Sequence, residues 1–375
     1  MKNNKGTYKM NTPNNRLLAM DIGRGLAVVI MILIHTLWMY GDKFTQTESM
    51  IGQVIHVMGK NTAAFLVLMG VSLMLSRKVT MQAIIFRGCV LLGLGYMMNA
   101  LKFLVPILVF KTMPENFIGA YGWNSPLSFE QLRYLLLTGD VLQLAGFSLL
   151  LLAFVRHFVK NKYFLLVIAV IIAFSAKELS GFRLGISGVD YVFDLLWGNQ
   201  YNVYFPVFPW ISCILVGMFF GQLYVESGKN ETLMYRRMLQ YSLVMIPLGV
   251  ALCVYDFKYH FGDFFHTGAG GIIYLAGFNL PILWLMNKLV HQYDCPRFYA
   301  FMRYSSQRVT SLYITQWVLV CWGMGIVGYS TLTGVQVLAL APVMMVLTYS
   351  VQWGREKLVE VIKTQWNKND VVTDS

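Results

Sequence analysis

The chain has 375 residues, of which 57% are hydrophobic and only 13% charged. Its mean hydropathy is +0.55. A soluble domain carries nearer 25% charged residues, so the composition excludes an ordinary soluble fold and predicts an all-α, polytopic integral membrane protein. The net charge of +12 fits basic loops on the cytoplasmic side of a bilayer and does not imply nucleic acid as a partner.

Residues 1–15 form a polar tail, and a single transmembrane domain is expected over 16–354. A second polar tail follows at 355–375, and both tails are placed in the cytoplasm. The first span, at 17–40, reads LLAMDIGRGLAVVIMILIHTLWMY. It contains a carboxylate, a guanidinium and an imidazole at Asp21, Arg24 and His35. Each such group at bilayer depth costs roughly 2.5–3.5 kcal/mol, so three in one span mark a functional stripe. At ~100° per residue, Arg24 and His35 fall about 20° apart around the helix, and Asp21 within about 40° of His35. The stripe must face the protein interior, with His35 roughly 16 Å deeper than Arg24.

The next spans are expected at 54–76, stopping at Arg77-Lys78, and at 81–99. The segment 100–138, with Pro106, Pro114 and Pro126, reads as an external loop containing amphipathic or re-entrant pieces. In this reading Lys102 snorkels to the surface. Further spans are expected at 139–158, 163–176, 205–225, 239–255, 268–288, 309–329 and 334–353, about ten in all. With the N-terminus inside, 21 of the 30 basic residues fall on the cytoplasmic side, Arg24 lies within a span, and eight are outside.

Asp140 opens the fourth span as an N-cap, with Gln143 one turn on. Together with Asn99, His266 and Trp38, these two are further candidates for donor or acceptor contacts. Trp38, Tyr40, Trp210 and Trp353 also read as an interfacial aromatic belt. Gly268, Gly270, Gly271 and Gly277 read as a close-packing face. His260, Asp263 and His266 sit on an external turn, and no metal site is expected. Cys89, Cys213, Cys253, Cys295 and Cys321 show neither metal-ligand spacing nor a disulfide framework. There is no internal repeat.

Several stretches resemble the heparan-alpha-glucosaminide N-acetyltransferase family. RLLAMDIGRGLAVVIMILIHTL from Arg16 resembles its first catalytic-domain helix, and AAFLVLMGVSLMLSRK from Ala63 resembles its second span. TGDVLQLAGFSLLLLAF from Thr138 and YFPVFPWISCILVGMFFGQL from Tyr204 resemble two further helices, and RYSSQRVTSLYITQWV from Arg303 does so more loosely. The arginine-to-histidine spacing in the first span is shared with the broader transmembrane acyltransferase superfamily.

The resemblance implies acetyl-CoA as donor substrate, without a metal, and a glycan as acceptor across the bilayer. It also implies a multi-pass protein of the inner (plasma) membrane. By position, His35 becomes the catalytic residue, Arg24 a donor-side contact and Asp21 its partner. Two positions depart from the family. Lysosomal members have asparagine at the place of His35 and carry their proposed acetyl-accepting histidine later, where this chain has Gln46. Relatives have arginine where this chain has Leu144. The favoured mechanism is therefore direct transfer with His35 as general base, to an amino or hydroxyl group. The competing reading is an ion- or proton-coupled transporter or flippase that uses the Asp21, Arg24 and His35 stripe as a relay. A homo-oligomer is left open.

Overall fold

The computed structural model describes residues 17–76 and 80–373, with side chains through residue 364. Of the basic residues counted for topology, Lys2, Lys5, Lys9, Arg16, Arg77 and Lys78, and the side chain of Lys368, lie outside the described residues. The described chain is helical, and the only β pairings in it are two isolated bridges, Gly41 with Leu332 and Gly139 with Val203.

Helix α1, Leu18–Tyr40, matches the expected first span. The second span is broken into α2, Met50–Gly59, and α3, Thr62–Leu75. The break falls at Lys60-Asn61, whose backbone N–H groups bond back to Val57 and Met58. The Lys60 carbonyl accepts the Asn279 side-chain amide at 3.3 Å. Irregular backbone at bilayer depth needs such partners, or a cavity to face, and this break has both.

Helix α4, Met81–Asn99, does not end where a loop was expected. It runs on as a π-helical segment, Ala100–Val109, that contains Pro106. The stretch ALKFLVPILV is apolar throughout apart from Lys102, and proline inside a membrane helix is tolerated when neighbours satisfy the freed groups. Here Trp322 Nε1 donates to the Leu101 carbonyl at 2.8 Å.

The remaining long helices are α5 (Val141–Phe158), α6 (Lys162–Leu179), α7 (Val207–Glu226), α8 (Glu231–Tyr255), α9 (Ala269–Gln292), α10 (Pro296–Gln307), α11 (Val309–Val327) and α12 (Gly334–Thr373). Nine helical stretches of the described chain are long and apolar enough to cross a membrane. Helix α6 is not among them, because Lys162, Lys177 and Glu178 sit in its ends. It nevertheless lies antiparallel along α7. Lys162 pairs with Glu226 at one end, Ser212 donates to Ala169 O midway, and Tyr259 donates to Glu178 at the other. The described helices are those of an all-α, polytopic membrane protein.

Two ends of the bundle follow. At one, Asp21 accepts from Ser306, and Arg308 pairs with Glu356. The start of α1 and residues 352–356 of α12 therefore share a face with Arg303, Arg308 and Arg355. At the other end, Tyr40 and Asp42 exchange backbone bonds with Thr331 and Leu332. Tyr40 and Trp210, expected in an aromatic belt, are instead fully buried there. Tyr40 donates to Val320 O at 2.7 Å and Trp210 to Phe265 O at 2.8 Å. Trp353 is 61% exposed, as a belt residue should be.

Glycines set the closest crossings. A Cβ on Gly70 would stand 2.0 Å from Ile214 O, and one on Gly217 2.0 Å from Val67 O, which locks α3 to α7 backbone to backbone. The glycine face expected on α9 packs on α8 and the turn before it. A Cβ on Gly277 would meet Met245 Cβ at 2.7 Å, and one on Gly271 would meet His260 O at 2.4 Å.

Candidate active site

A cavity of about 550 Å³ opens among α1, the α2–α3 break, the π segment and α11. On α1 it is lined from Ala27 to Met39. Toward the Tyr40 end of the bundle, Tyr121, Tyr201, Tyr204 and Tyr329 line it. Burial pushes the Tyr121 and Tyr204 phenols above their ordinary range, so both are neutral hydroxyls. The bridge between Gly139 and Val203 ties Tyr204 beside the start of α5: Tyr204 N–H donates to Gly139 O at 2.8 Å.

His35 lies in this wall, only 6% exposed. Its ring stacks on Trp317, centroids 3.8 Å apart and planes at 23°, with Tyr313 edge-on at 5.9 Å. Its Nδ1 is 2.7 Å from Gln316 Nε2, the amide nitrogen, which in this orientation donates to it. Amide oxygen and nitrogen are exchangeable by rotation, and the amide orientation selects the imidazole tautomer. With Gln316 Oε1 turned to the ring, Nδ1–H donates to it and Nε2 is left as the basic nitrogen. Trp38 and His56 extend the lining. Trp38 Nε1 donates to His56 Nε2 at 3.0 Å, so His56 carries its proton on Nδ1 when neutral.

Beside Trp317 lies a buried ion pair. Lys102 Nζ is 3.4 Å from Asp140 Oδ2, and both side chains line the cavity while being at most 5% exposed. Asp140 Oδ1 accepts from the Tyr313 hydroxyl at 2.8 Å and from the Val141 N–H at 2.7 Å. Lys102 Nζ also sits 4.6 Å from the Trp317 ring centre and 4.8 Å from that of Phe103. The expectation that Lys102 reaches the surface is therefore wrong. The helix does not stop at Asn99, and the π segment carries Lys102 inward to Asp140, the only carboxylate that lines the cavity among the described residues.

The sequence-derived candidates separate into three groups. His35, Trp38 and Asp140 share the cavity. Asn99 and Gln143 are buried behind it and outside its lining. Asn99 donates to the Leu136 and Thr138 carbonyls at 2.8 Å each, and Gln143 Oε1 accepts from the Asp140 N–H at 3.1 Å in a capping box. Asp140 is thus both cap and cavity residue. Asp21 and Arg24 form a 3.5 Å pair at the basic end, one helical turn below the deepest α1 lining residue, Ala27.

His266 also lies outside the lining, paired with Asp263 at 2.8 Å, although Phe264 and Phe265 of the same turn face the cavity. That hydrogen bond holds the Asp263 carboxyl down to about 2. His260 Nδ1 accepts from the Gly270 N–H at 3.1 Å and so caps α9.

Four residues of the wall, Lys102, His56, Tyr313 and Trp317, and the supporting Gln316, had no assigned chemistry in the sequence. Gln46 does line the cavity, its amide donating to Gly41 O at 2.7 Å. The second imidazole there comes from His56 of α2, ten positions on.

The family model described as heparan-alpha-glucosaminide N-acetyltransferase, catalytic, matches residues 16–255, more than half of the chain. The chain belongs to this family. It is therefore a multi-pass member of a membrane N-acetyltransferase family. No curated protein matches the chain. The matched stretch of the heparan-alpha-glucosaminide N-acetyltransferase family supplies His35, Lys102 and Asp140. The residues that orient them, Tyr313, Gln316 and Trp317, come from α11, beyond its end.

Proposed function

We propose that this protein transfers an acetyl group from acetyl-CoA, approaching from the basic, cytoplasmic face, to a glycan on the opposite face of the inner membrane. His35 acts as general base. The observation that carries this reading is one buried imidazole in a cavity wall, oriented by Gln316 and Trp317, beside a lysine.

His35 Nε2 takes the proton of the acceptor as the acceptor's heteroatom attacks the thioester carbonyl carbon. Lys102 stands on the side where the tetrahedral oxyanion gathers charge and stabilises it in a low-dielectric setting. As the carbon–sulfur bond breaks, His35 returns the proton to the CoA thiolate. Asp140, itself held by the Tyr313 hydroxyl, holds Lys102 in place.

At the basic end, a groove lined by Ser306, Arg308, Thr310, Arg355 and Glu356 adjoins the start of α1, where Ser306 donates to Asp21, and Arg308 in it pairs with Glu356. These guanidinium and hydroxyl groups suit the phosphates of a nucleotide-bearing donor. His35 lies ~16 Å from Arg24 along α1, a depth suited to a long, thin pantetheine arm.

The test uses purified full-length protein with acetyl-labelled CoA and a membrane glycan fraction. Free CoA and labelled glycan should appear together, and His35→Ala should lower both steeply. An unimpaired His35→Ala protein refutes the base assignment. Absence of any CoA binding favours the transporter reading instead.

A further inference from the structure

In the groove at the basic end, an anion is already held, and it is the protein's own. The Glu356 carboxylate of α12 collects four hydrogen bonds. Arg308, between the end of α10 and the start of α11, grips it with Nε and with Nη2, the latter at 3.2 Å. Gln352 Nε2 donates to it at 2.6 Å from one turn back on α12, and the Tyr304 hydroxyl of α10 donates at 3.3 Å. These donors are themselves held. The Arg308 guanidinium lies 3.9 Å from the centre of the Tyr304 ring. Ser311 donates to Gln352 Oε1, which leaves the amide nitrogen of that buried side chain for Glu356. Arg355 lines the same groove and forms no ion pair among the described residues.

The two charged partners keep contact with water, the Arg308 side chain being 28% exposed and that of Glu356 30%. An ion pair so open to solvent is worth little, so a stronger anion can replace the carboxylate. A guanidinium grips phosphate with the same two-pronged geometry as a carboxylate. A phosphate monoester carries about −1.5 to −2 charge at pH 7, more than a carboxylate does.

The groove also lies on the side of α11 that serves His35. Val309 and Gln316 are seven residues apart on that helix, as are Thr310 and Trp317. Each pair therefore lies within about 20° around the axis and ~10 Å along it. Val309 and Thr310 line the groove, while Gln316 and Trp317 hold the imidazole.

We propose that Glu356 stands in for the phosphate monoester of the donor. It keeps Arg308, Tyr304 and Gln352 in anion-binding positions until the donor's phosphate displaces it from Arg308. The proposal rests on the acetyl-CoA reading above, and it gives one particular phosphate its seat and its built-in competitor. The residues involved, from Tyr304 to Glu356, all lie beyond the family match at 16–255.

The test compares acetyl-CoA with acetyl-dephospho-CoA, which lacks only the phosphate monoester, as donors to the same membrane glycan fraction with purified full-length protein. Wild type should show a KM lower for acetyl-CoA by about tenfold, the worth of charge-assisted hydrogen bonds to one phosphate. Glu356→Gln removes the competing charge and should lower the KM for acetyl-CoA by a factor of about two to five, the range for so exposed a pair. The ratio of the two KM values then widens. Arg308→Gln should erase the ratio, and the double variant should match Arg308→Gln, because the carboxylate acts through the guanidinium.

Equal KM values for the two donors in wild type overturn the proposal. So does a Glu356→Gln protein whose KM ratio does not widen while its Tm falls, since the pair is then only a tie between α11 and α12. If calorimetry shows that neither CoA nor dephospho-CoA binds, the acetyl-CoA reading falls as well.

Discussion

Replacing Lys102 by methionine tests whether the buried pair holds the cavity wall together. At 3.4 Å, with an effective dielectric of about 20, the attraction between unit charges is about 5 kcal/mol. Lys102→Met removes that attraction and leaves Asp140 buried. Tyr313 O–H and Val141 N–H still donate to it, so the net loss should fall near the ~3–5 kcal/mol seen when one partner of a buried pair is removed. The double variant Lys102→Met/Asp140→Asn carries neither charge. Asparagine caps a helix about as well as aspartate, so the double variant should recover most of the loss. Equilibrium unfolding in mixed micelles across the four-member cycle measures the coupling. A coupling energy of ~2 kcal/mol or more is expected. A value below ~0.5 kcal/mol would mean that the two groups do not meet in the folded protein, and the oxyanion role given to Lys102 would fall with it.

Four further outcomes are expected. His35→Ala should lower acetyl transfer by about 10²–10⁴-fold, the usual worth of a general base, and Gln316→Leu should lower kcat without raising KM for acetyl-CoA, since it removes only the group that sets the tautomer. Gly70→Ala should lower Tm clearly, because the new Cβ meets backbone at 2.0 Å and overpacking costs about 1–3 kcal/mol; Gly354→Ala, with nothing within 4 Å, should be neutral or slightly stabilising. Tyr40→Phe should cost about 1 kcal/mol in unfolding experiments, for one buried hydrogen bond to Val320 O. Asp263 has a folded pKa held below its unfolded value, at about 2, so its stabilisation is present above about pH 4 and lost as pH falls through 2. The Tm gap between wild type and Asp263→Asn should therefore close as pH falls from 4 toward 2; a gap undiminished at pH 2 would contradict the lowered Asp263 pKa.

The stripe on α1 was legible because its geometry is local. Helical periodicity alone turns Asp21 and His35 to one side, and both are buried. The N-cap at Asp140 was legible for the same reason, as was the glycine face of α9. Lys102 was misread because Pro106 suggests a break to any reading of one segment at a time. Whether the helix continues depends on Trp322, more than two hundred residues away, taking the Leu101 carbonyl. Tyr40 and Trp210 were misread in the same way. An aromatic at a span end faces the membrane surface or the interior depending on what packs there, and here Val320 and Phe265 offer carbonyls.

Composition and local periodicity by themselves determined that this chain crosses a membrane about ten times as helices, and that the first crossing carries an imidazole on an inward stripe. Those properties follow from the energy of placing each residue in hydrocarbon and from the repeat of a single helix. Tertiary structure alone decided what surrounds that imidazole: Gln316 and Trp317 from α11, Lys102 delivered by a π-helical continuation, and Asp140, which meets both Lys102 and Tyr313. Such partners are chosen by distance across the bundle, and spacing along the chain does not encode it.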